Sequence, residues 1–191
     1  CISGGVPLFL PIVKQARSRY IPLSNDSQIF MEAVPCPVIG ITGSAGKTTT
    51  TTLLGHMAKQ AAAPDQNVWV GGNIGLPLID HLDEINANDI VILELSSFQL
   101  ELMTISPAVA AVLNITPNHL DRHGTLEAYT AAKAHILDFQ QDGDVAVLTN
   151  EDPGSWGLVK NTKGRLVTFG LGQPPAGQPG VRRRSRRDDR G

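Results

Sequence analysis

The segment GITGSAGKTTT, residues 40–50, has the residue types of a phosphate-binding loop. An apolar stretch ends at Thr42, a glycine-containing turn follows, and a helical pattern begins near Lys47. This order directs several backbone N–H groups at one point, where the positive end of the helix dipole favours an anion. Lys47 can reach the terminal phosphates of ATP, and the Thr48 hydroxyl can bind Mg²⁺. The segment therefore predicts a nucleotide-phosphate site.

One position departs from the strict G-x-x-x-x-G-K-[ST] pattern, because Ile41 stands where that pattern has its first glycine. Gly43 and Gly46 still allow a close approach of the backbone to a phosphate. The alternative is a glycine turn that only begins a helix. Five consecutive β-branched threonines, residues 48–52, are a poor choice for a helix start on propensity alone, which favours the phosphate-binding interpretation.

Two further segments place chemically useful side chains at the ends of predicted strands. NDIVILELSSFQLE runs from an apolar strand into Glu94, and VAAVLNITPNHLDRH runs from another into His119 and Asp121. Open parallel sheets build their sites at the carboxyl ends of strands, so a metal site is expected there. Taken singly, each residue has another interpretation: Glu94 as a charged residue at the margin of the sheet, and His119 as a surface or helix-capping histidine. Their joint position beside the phosphate loop favours metal binding.

Lys133 and Asn73 are weaker candidates. Lys133 lies in YTAAKAHIL, and the alanines around it leave room for a group larger than an ammonium. A lone lysine on a helix is usually solvated, so that interpretation stays open. Asn73 lies in the turn GGNIG, where its amide can contact an oxyanion, although such a turn also serves for backbone freedom alone.

The elements that must position these residues alternate along the chain. Apolar runs bounded by turn residues, with helical patterns between them, predict an α/β fold with a mostly parallel sheet and crossover helices. The clearest helix covers residues 125–139, with Thr125 as its N-cap, and another runs from Lys47 until Pro64 ends it. A short helix is expected at residues 9–18. Strands are predicted at residues 20–23, 38–42, 67–70, 90–95, 109–116 and 145–149, with a weaker candidate at 166–169.

Composition excludes several classes of protein. The chain has 191 residues and 41% hydrophobic content, enough for one globular core. It has no apolar run of the roughly 20 residues that a membrane helix needs and no signal-like segment, so a cytoplasmic location without membrane association is predicted. The two cysteines fit neither a disulfide framework nor a metal-ligand spacing. Six arginines follow Val181, but their setting favours an unstructured end over nucleic-acid binding.

These motifs resemble those of one family, the Mur ligases, over nearly the whole chain from Ser3 to about Gly170. GITGSAGKTTT, GGNIG, ELSSFQLE, NITPNHLDRH and YTAAKAHI occur in the family's order. The SSFQLE run favours the branch of the family that adds D-glutamate. Ala45 departs from the pattern, since these ligases often carry asparagine there. The resemblance implies the family's central domain of the P-loop type, here incomplete.

The resemblance also implies roles for particular residues. Lys47 would contact the phosphates of ATP, and Thr48 the first Mg²⁺. Glu94 and His119 match the family's magnesium ligands, and Lys133 matches the lysine that the family carbamylates so that it can hold a second Mg²⁺. Catalytic roles fall by resemblance on Lys47, Glu94, His119 and Lys133, nucleotide contacts on Gly43, Ser44, Ala45, Gly46, Lys47, Thr48 and Thr49, and substrate contacts on Gly72, Asn73 and Ser96.

The implied reaction is ATP-dependent amide formation between UDP-N-acetylmuramoyl-L-alanine and D-glutamate, through an acyl phosphate, in peptidoglycan precursor synthesis. Three segments are expected: residues 1–37, a remnant of the uridine-nucleotide-binding domain and a linker; residues 38–170, the ATP-binding central domain; and residues 171–191, a disordered or frame-shifted tail. We expect this chain alone to be inactive and the full-length ligase to be a monomer. The alternative is a stand-alone nucleotide-binding module.

Overall fold

The computed structural model describes residues 1–3, 6–75, 77–173, 175–177 and 179–182, of which residues 181 and 182 are described by their backbone only. A parallel sheet forms its centre. In the described part of the chain this sheet has seven strands in the order β2-β3-β1-β4-β5-β6-β7, and every neighbouring pair is parallel. The strands are β1 Val38–Thr42, β2 Val68–Gly72, β3 Ile90–Glu94, β4 Val109–Val112, β5 Val145–Thr149, β6 Arg165–Gly170 and β7 Gly180–Arg182.

Helices connect the strands and cover the sheet. The described residues form the α-helices α1 Pro11–Ser18, α2 Asp26–Ala33, α3 Lys47–Ala61, α4 Ser97–Leu100, α5 Leu120–His123, α6 Leu126–Asp138 and α7 Pro153–Trp156, and 3₁₀ turns occur at Leu78–His81 and Gly157–Asn161. No helix in the described ranges combines the length and apolar character needed to cross a membrane. The α/β fold with a parallel sheet, predicted from the sequence, is confirmed.

The longest helices begin and end where their sequences predict. The Thr125 side chain accepts a hydrogen bond from the Ala128 N–H and caps α6. Along α6, Tyr129 and Ile136 are buried at helical spacing and belong to the main core cluster. α3 ends at Ala61, three residues before Pro64, which cannot continue a helix.

The core lies around the central strands, which are buried on both faces as parallel strands usually are. Val91 and Ile92 of β3 and Val112 of β4 are fully buried. Phe30, from α2, packs into the same cluster. The segment before β1 is thus joined to the core of the sheet domain, and the boundary predicted after residue 37 stays a prediction.

The strand order places β1 at the position where the connections change direction. β2 and β3 lie on one side of β1, and β4 to β7 lie on the other. Since all strands are parallel, their carboxyl ends share one edge of the sheet. A crevice forms outside such a reversal point, and ligands of open α/β sheets bind there. The fold therefore brings the segments after β1, β3 and β4 together.

Two strand predictions need correction, and one strand was not predicted. The strand expected at residues 20–23 is absent: Tyr20 takes a left-handed φ of 56°, the Ile21 N–H donates back to the Ala16 carbonyl, and Pro22 has no N–H. β4 ends at Val112 instead of residue 116. β7 was not predicted, and it pairs with β6 within the segment expected to be a tail. Residues 183–191, with most of the predicted arginine tail, lie outside the described residues.

Candidate functional site

The phosphate loop joins β1 to α3 through residues 43–46. Gly46 takes a left-handed φ of 81° directly before the first helical residue, Lys47. No side chain caps the amino end of α3, so its first N–H groups remain free of a capping oxygen. The Lys47 ammonium folds back over the loop and donates to the Gly43 carbonyl at 3.1 Å. This arrangement places a cation and a helix amino terminus at one point, as an anion site requires.

Glu94 lies at the end of β3 with only 2% of its surface exposed, and both of its carboxylate oxygens are engaged. The Thr48 hydroxyl donates to Oε2 at 2.8 Å, and the Asn73 amide donates to Oε1 at 3.1 Å. Three residues that the sequence predicted from separate motifs therefore meet at one carboxylate. A buried carboxylate beside a hydroxyl offers the oxygen ligands that Mg²⁺ prefers.

Gly72 allows the end of β2 to lie close enough to β3 for the contact between Asn73 and Glu94. Its φ is 100°, and a Cβ at this position would overlap the Glu94 carbonyl oxygen. The next residue, Asn73, donates its backbone N–H to that same carbonyl at 2.8 Å. Only glycine allows the end of β2 to approach β3 this closely, so Gly72 positions the Asn73 amide toward the carboxylate.

Lys133 is buried, with 1% of its surface exposed. The interpretation as a solvated lysine, which the sequence left open, is therefore wrong. Its ammonium donates to Thr42 Oγ1 at 3.1 Å and to the Gly43 carbonyl at 3.0 Å. It also lies 4.7 Å from the centre of the Tyr129 ring. Burial, with a smaller contribution from the Lys47 charge, lowers the Lys133 pKa to about 7, against the opposing effect of Glu94.

His119 lies at the rim of the site. It is exposed, takes a left-handed φ of 52°, and precedes α5. Its ring centroid lies 5.3 Å from that of Phe98 and 6.5 Å from that of Tyr129. Asp121 is exposed on α5. Within the described ranges no three His, Cys, Asp or Glu side chains are grouped to hold a metal ion, so a metal here would need ligands of other kinds.

Ser96 caps α4 and lines a cavity. Its backbone N–H and hydroxyl both donate to Gln99 Oε1, at 3.0 and 2.8 Å, and the Gln99 N–H donates back to the Ser96 hydroxyl. The cavity measures about 490 Å³, and its wall includes Gly72, Asn73 and Ser96. The three predicted substrate-contacting residues are thus brought to one cavity.

Sequence reasoning missed three residues of this region. Thr42 and Tyr129 contact Lys133, and Arg122 lines the cavity with its guanidinium 4.6 Å from the Phe98 ring centre. Tyr129 precedes Lys133 by four residues on α6, which is one helical turn, and this spacing was available in the sequence. Arg122 stands in the NHLDRH run, in which the sequence analysis considers only His119 and Asp121.

A turn like a phosphate-binding loop on a parallel α/β sheet is typical of a P-loop-type domain. The family model of the Mur ligase middle domain matches residues 41–186. This chain belongs to the Mur ligase family.

Curated relatives agree. The chain is 42% identical over 177 residues to the UDP-N-acetylmuramoylalanine--D-glutamate ligase of Symbiobacterium thermophilum, covering 93% of this chain and 38% of that protein. It is 43% identical to the protein of the same name from Pelotomaculum thermopropionicum, covering 88% of this chain and 36% of that protein. The chain thus spans little more than a third of the length of these relatives.

Solved structures show the same fold. The MurF ligase of Thermotoga maritima in complex with ADP superposes with a TM-score of 0.56 at 25% identity, over 74% of this chain and 35% of that one. A Neisseria UDP-N-acetylmuramate:L-alanyl-gamma-D-glutamyl-meso-diaminopimelate ligase gives a TM-score of 0.60 over 88% of this chain and 57% of that one, at 17% identity. The second likeness concerns the fold alone.

Proposed function

We propose that this chain is the ATP-binding part of a ligase that joins D-glutamate to UDP-N-acetylmuramoyl-L-alanine in peptidoglycan precursor synthesis. The observation that carries the proposal is the contact of Thr48, in the phosphate loop, with the buried carboxylate of Glu94 at 2.8 Å. The names of the curated relatives support the choice of substrates.

ATP would bind with its phosphates against the amino end of α3. The helix dipole and the free N–H groups favour the anion, and the Lys47 ammonium would exchange the Gly43 carbonyl for a phosphate oxygen. The contact of the ammonium with an anionic phosphate oxygen is stronger than its contact with the neutral carbonyl. Lys47 would thereby orient the terminal phosphate and hold part of its charge.

The residues fit Mg²⁺. This ion takes oxygen ligands and usually binds through one or two carboxylates together with substrate phosphates and waters. Glu94 and Thr48 supply a carboxylate and a hydroxyl within hydrogen-bonding distance of each other, next to the proposed phosphate position. His119, on the rim, would complete the set with a nitrogen ligand. Bound there, Mg²⁺ would neutralise charge on the transferred phosphoryl group.

Lys133 fits the role of a carbamylated lysine. With a pKa of about 7 a large share of its amine is neutral near neutral pH, which leaves the nitrogen lone pair free to attack CO₂. A C–N bond forms, one proton is released, and the product is an anion. That change removes a buried cation beside Lys47, and the resulting carboxylate-like oxygens would suit a second Mg²⁺.

The reaction that these residues would serve activates a carboxylate. The γ-phosphoryl group of ATP passes to the carboxylate of UDP-N-acetylmuramoyl-L-alanine, and the D-glutamate amine then displaces phosphate from the acyl phosphate to form the amide. The chain's own residues hold and orient the reactants, with Gly72, Asn73 and Ser96 on the wall of the substrate cavity. A monomeric state and a cytoplasmic location stay predictions from the sequence.

Calorimetry on the purified chain tests this proposal. Because the chain corresponds to about 38% of a relative's length, the test measures binding, not turnover. We expect ATP to bind more tightly with Mg²⁺ than with EDTA, and UDP-N-acetylmuramoyl-L-alanine to bind more tightly than UDP. Absence of Mg²⁺-dependent ATP binding would overturn the proposal. ATP binding without preference for the muramoyl nucleotide would indicate the stand-alone nucleotide-binding module.

A further inference from the structure

The side chain of Asn114, two residues beyond β4, forms hydrogen bonds with the backbone of the phosphate loop. Its Oδ1 accepts the Ala45 N–H at 2.9 Å, and its Nδ2 donates to the Ala45 carbonyl at 3.1 Å. A side-chain amide carries one acceptor and one donor group, so it can pair with both backbone groups of one residue. The contact uses only the backbone of residue 45, so the alanine there does not weaken it.

Ser44 adds a second set of contacts between the same two segments. Its N–H donates to the Asn114 carbonyl at 2.9 Å. Its hydroxyl accepts the Thr116 N–H at 2.9 Å and lies 2.9 Å from the Thr116 carbonyl and 3.2 Å from the Tyr129 hydroxyl. Residues 44–45 and residues 114–116 are therefore bound at several points, and this replaces the pairing that a longer β4 would make.

Residues 114–116, which bind the phosphate loop, lead directly to His119. Only Pro117 and Asn118 separate Thr116 from it, and the Ile115 N–H is fixed on the other side by Asp152 Oδ1 at 2.9 Å. Thr116, which binds Ser44, is therefore connected to His119 through two residues, one of which is a proline with a restricted φ. The contacts of Asn114 are partly open to water, so their effect is on geometry more than on stability.

We propose that Asn114 is a positioning residue that couples the phosphate loop to the segment carrying His119, so that a ligand bound at the loop changes the placement of that histidine. The coupling rests on the proposed function only for the nature of the ligand, a nucleotide phosphate. Aspartate cannot replace Asn114, because a carboxylate accepts the Ala45 N–H but has no donor for the Ala45 carbonyl.

Hydrogen exchange on the ligand-free chain tests the coupling first. We compare wild type, Asn114→Ala, Asn114→Asp and the control Asn88→Ala, an exposed asparagine distant in sequence from both segments. Asn114→Ala should speed exchange by about tenfold at the amides of Ala45, Thr116 and His119, and Asn114→Asp by less, with no change in the control. Faster exchange confined to Ala45 would overturn the proposal.

Proton NMR of the histidine rings gives a second test that a merely structural role would not affect. The His119 signal is assigned by its loss in His119→Gln, and ADP is added without metal to saturation. The signal should shift in wild type and lose at least half of that shift in Asn114→Ala. An equal shift in both would overturn the coupling. If wild type does not bind ADP, the proposed function fails, and the exchange data alone decide the coupling.

Discussion

The Thr48 hydroxyl and the Glu94 carboxylate, 46 residues apart in sequence, lie 2.8 Å apart in the structure. One belongs to the first turn of α3 and the other to the last position of β3. Their contact joins the phosphate loop to the neighbouring strand end, and Asn73 reaches the second oxygen of the same carboxylate. Nucleotide and metal binding should therefore depend on each other at this point.

Replacing Lys47 by alanine should weaken ATP binding. The loss of a charged donor to phosphate costs about 1.5–3 kcal/mol, which is roughly 10- to 100-fold in Kd. Lys59→Ala, an exposed lysine in the last turn of the same helix, removes the same charge and serves as the control. Calorimetric titration with ATP measures both. Equal affinities in the two variants would show that Lys47 does not contact the phosphates.

Glu94→Gln should remove the effect of Mg²⁺ on ATP affinity. The amide keeps the size of the side chain but loses the anionic charge that attracts the cation. The matched variant Glu127→Gln changes an exposed carboxylate in the first turn of α6 and should retain the Mg²⁺ effect. Titrations with and without Mg²⁺ give the comparison. A Mg²⁺ effect of wild-type size in Glu94→Gln would exclude Glu94 as a ligand.

Lys133 should become carbamylated when the chain is supplied with ¹³C-bicarbonate. With a pKa of about 7, about one tenth of the amine is neutral at pH 6 and about nine tenths at pH 8, so carbamate formation should rise over this interval. A ¹³C carbamate resonance is expected in wild type and Lys59→Ala, and is lost in Lys133→Ala. A resonance that survives in Lys133→Ala would assign the modification elsewhere.

Gly72→Ala should destabilise the fold more than Gly75→Ala. Both glycines have left-handed φ values, 100° and 72°, which cost an alanine about 1–2 kcal/mol. At Gly72 the added Cβ also overlaps the Glu94 carbonyl oxygen, and crowding of this kind adds about 1–3 kcal/mol. In thermal unfolding, the melting temperature should therefore be highest for wild type, lower for Gly75→Ala and lowest for Gly72→Ala. The reverse order of the two variants would contradict the close approach of β2 to β3.

Asp89→Asn should destabilise the chain in a pH-dependent way. Asp89 is buried and accepts hydrogen bonds from the Asn86 N–H, the Trp69 indole and the Asn67 N–H, and these lower its pKa below the ordinary value of 3.8. An amide leaves at least one of these donors without its acceptor, at a cost of about 1–3 kcal/mol near pH 7.

The sign of the pH effect follows from the lowered pKa. Because the folded pKa is depressed, the carboxylate stabilises the fold above pH 3.8, and this stabilisation is lost as the pH falls through the folded pKa. Denaturant unfolding should therefore show a gap between wild type and Asp89→Asn at pH 7 that narrows below pH 3.8. The exposed Asp83→Asn serves as the control. A gap of constant size across this range would exclude the ionised carboxylate as its cause.

Local sequence patterns were sufficient for much of the architecture. Thr125 and the apolar spacing after it located α6, and Lys47 after a glycine turn located the start of α3. The rule that parallel strands share their carboxyl ends placed Glu94 near the phosphate loop, and the structure brings Thr48 to it. These features depend on short-range periodicity and on chain direction, which a single sequence contains.

Other features depend on contacts between distant segments. β4 ends early because Asn114 and Thr116 bind Ser44 and Ala45, and no local pattern marks that exchange of partners. Burial of Lys133 depends on the approach of α6 to the end of β1, so its alanine neighbours alone left a solvated lysine possible. Tyr20 turns where a β-prone run predicted a strand, because α1 is closed by backbone bonds from Arg19 and Ile21.

The central position of β1 also governs how the molecule can assemble during synthesis. Ile39 pairs with Ile92 on one side and with Val109 on the other, so both neighbours of β1 are made long after it. Such distant parallel pairings form slowly and leave strand edges open in the meantime. The phosphate loop therefore lacks both neighbouring strands until about residue 112 has been synthesised, and both edges of β1 stay unpaired in shorter nascent chains.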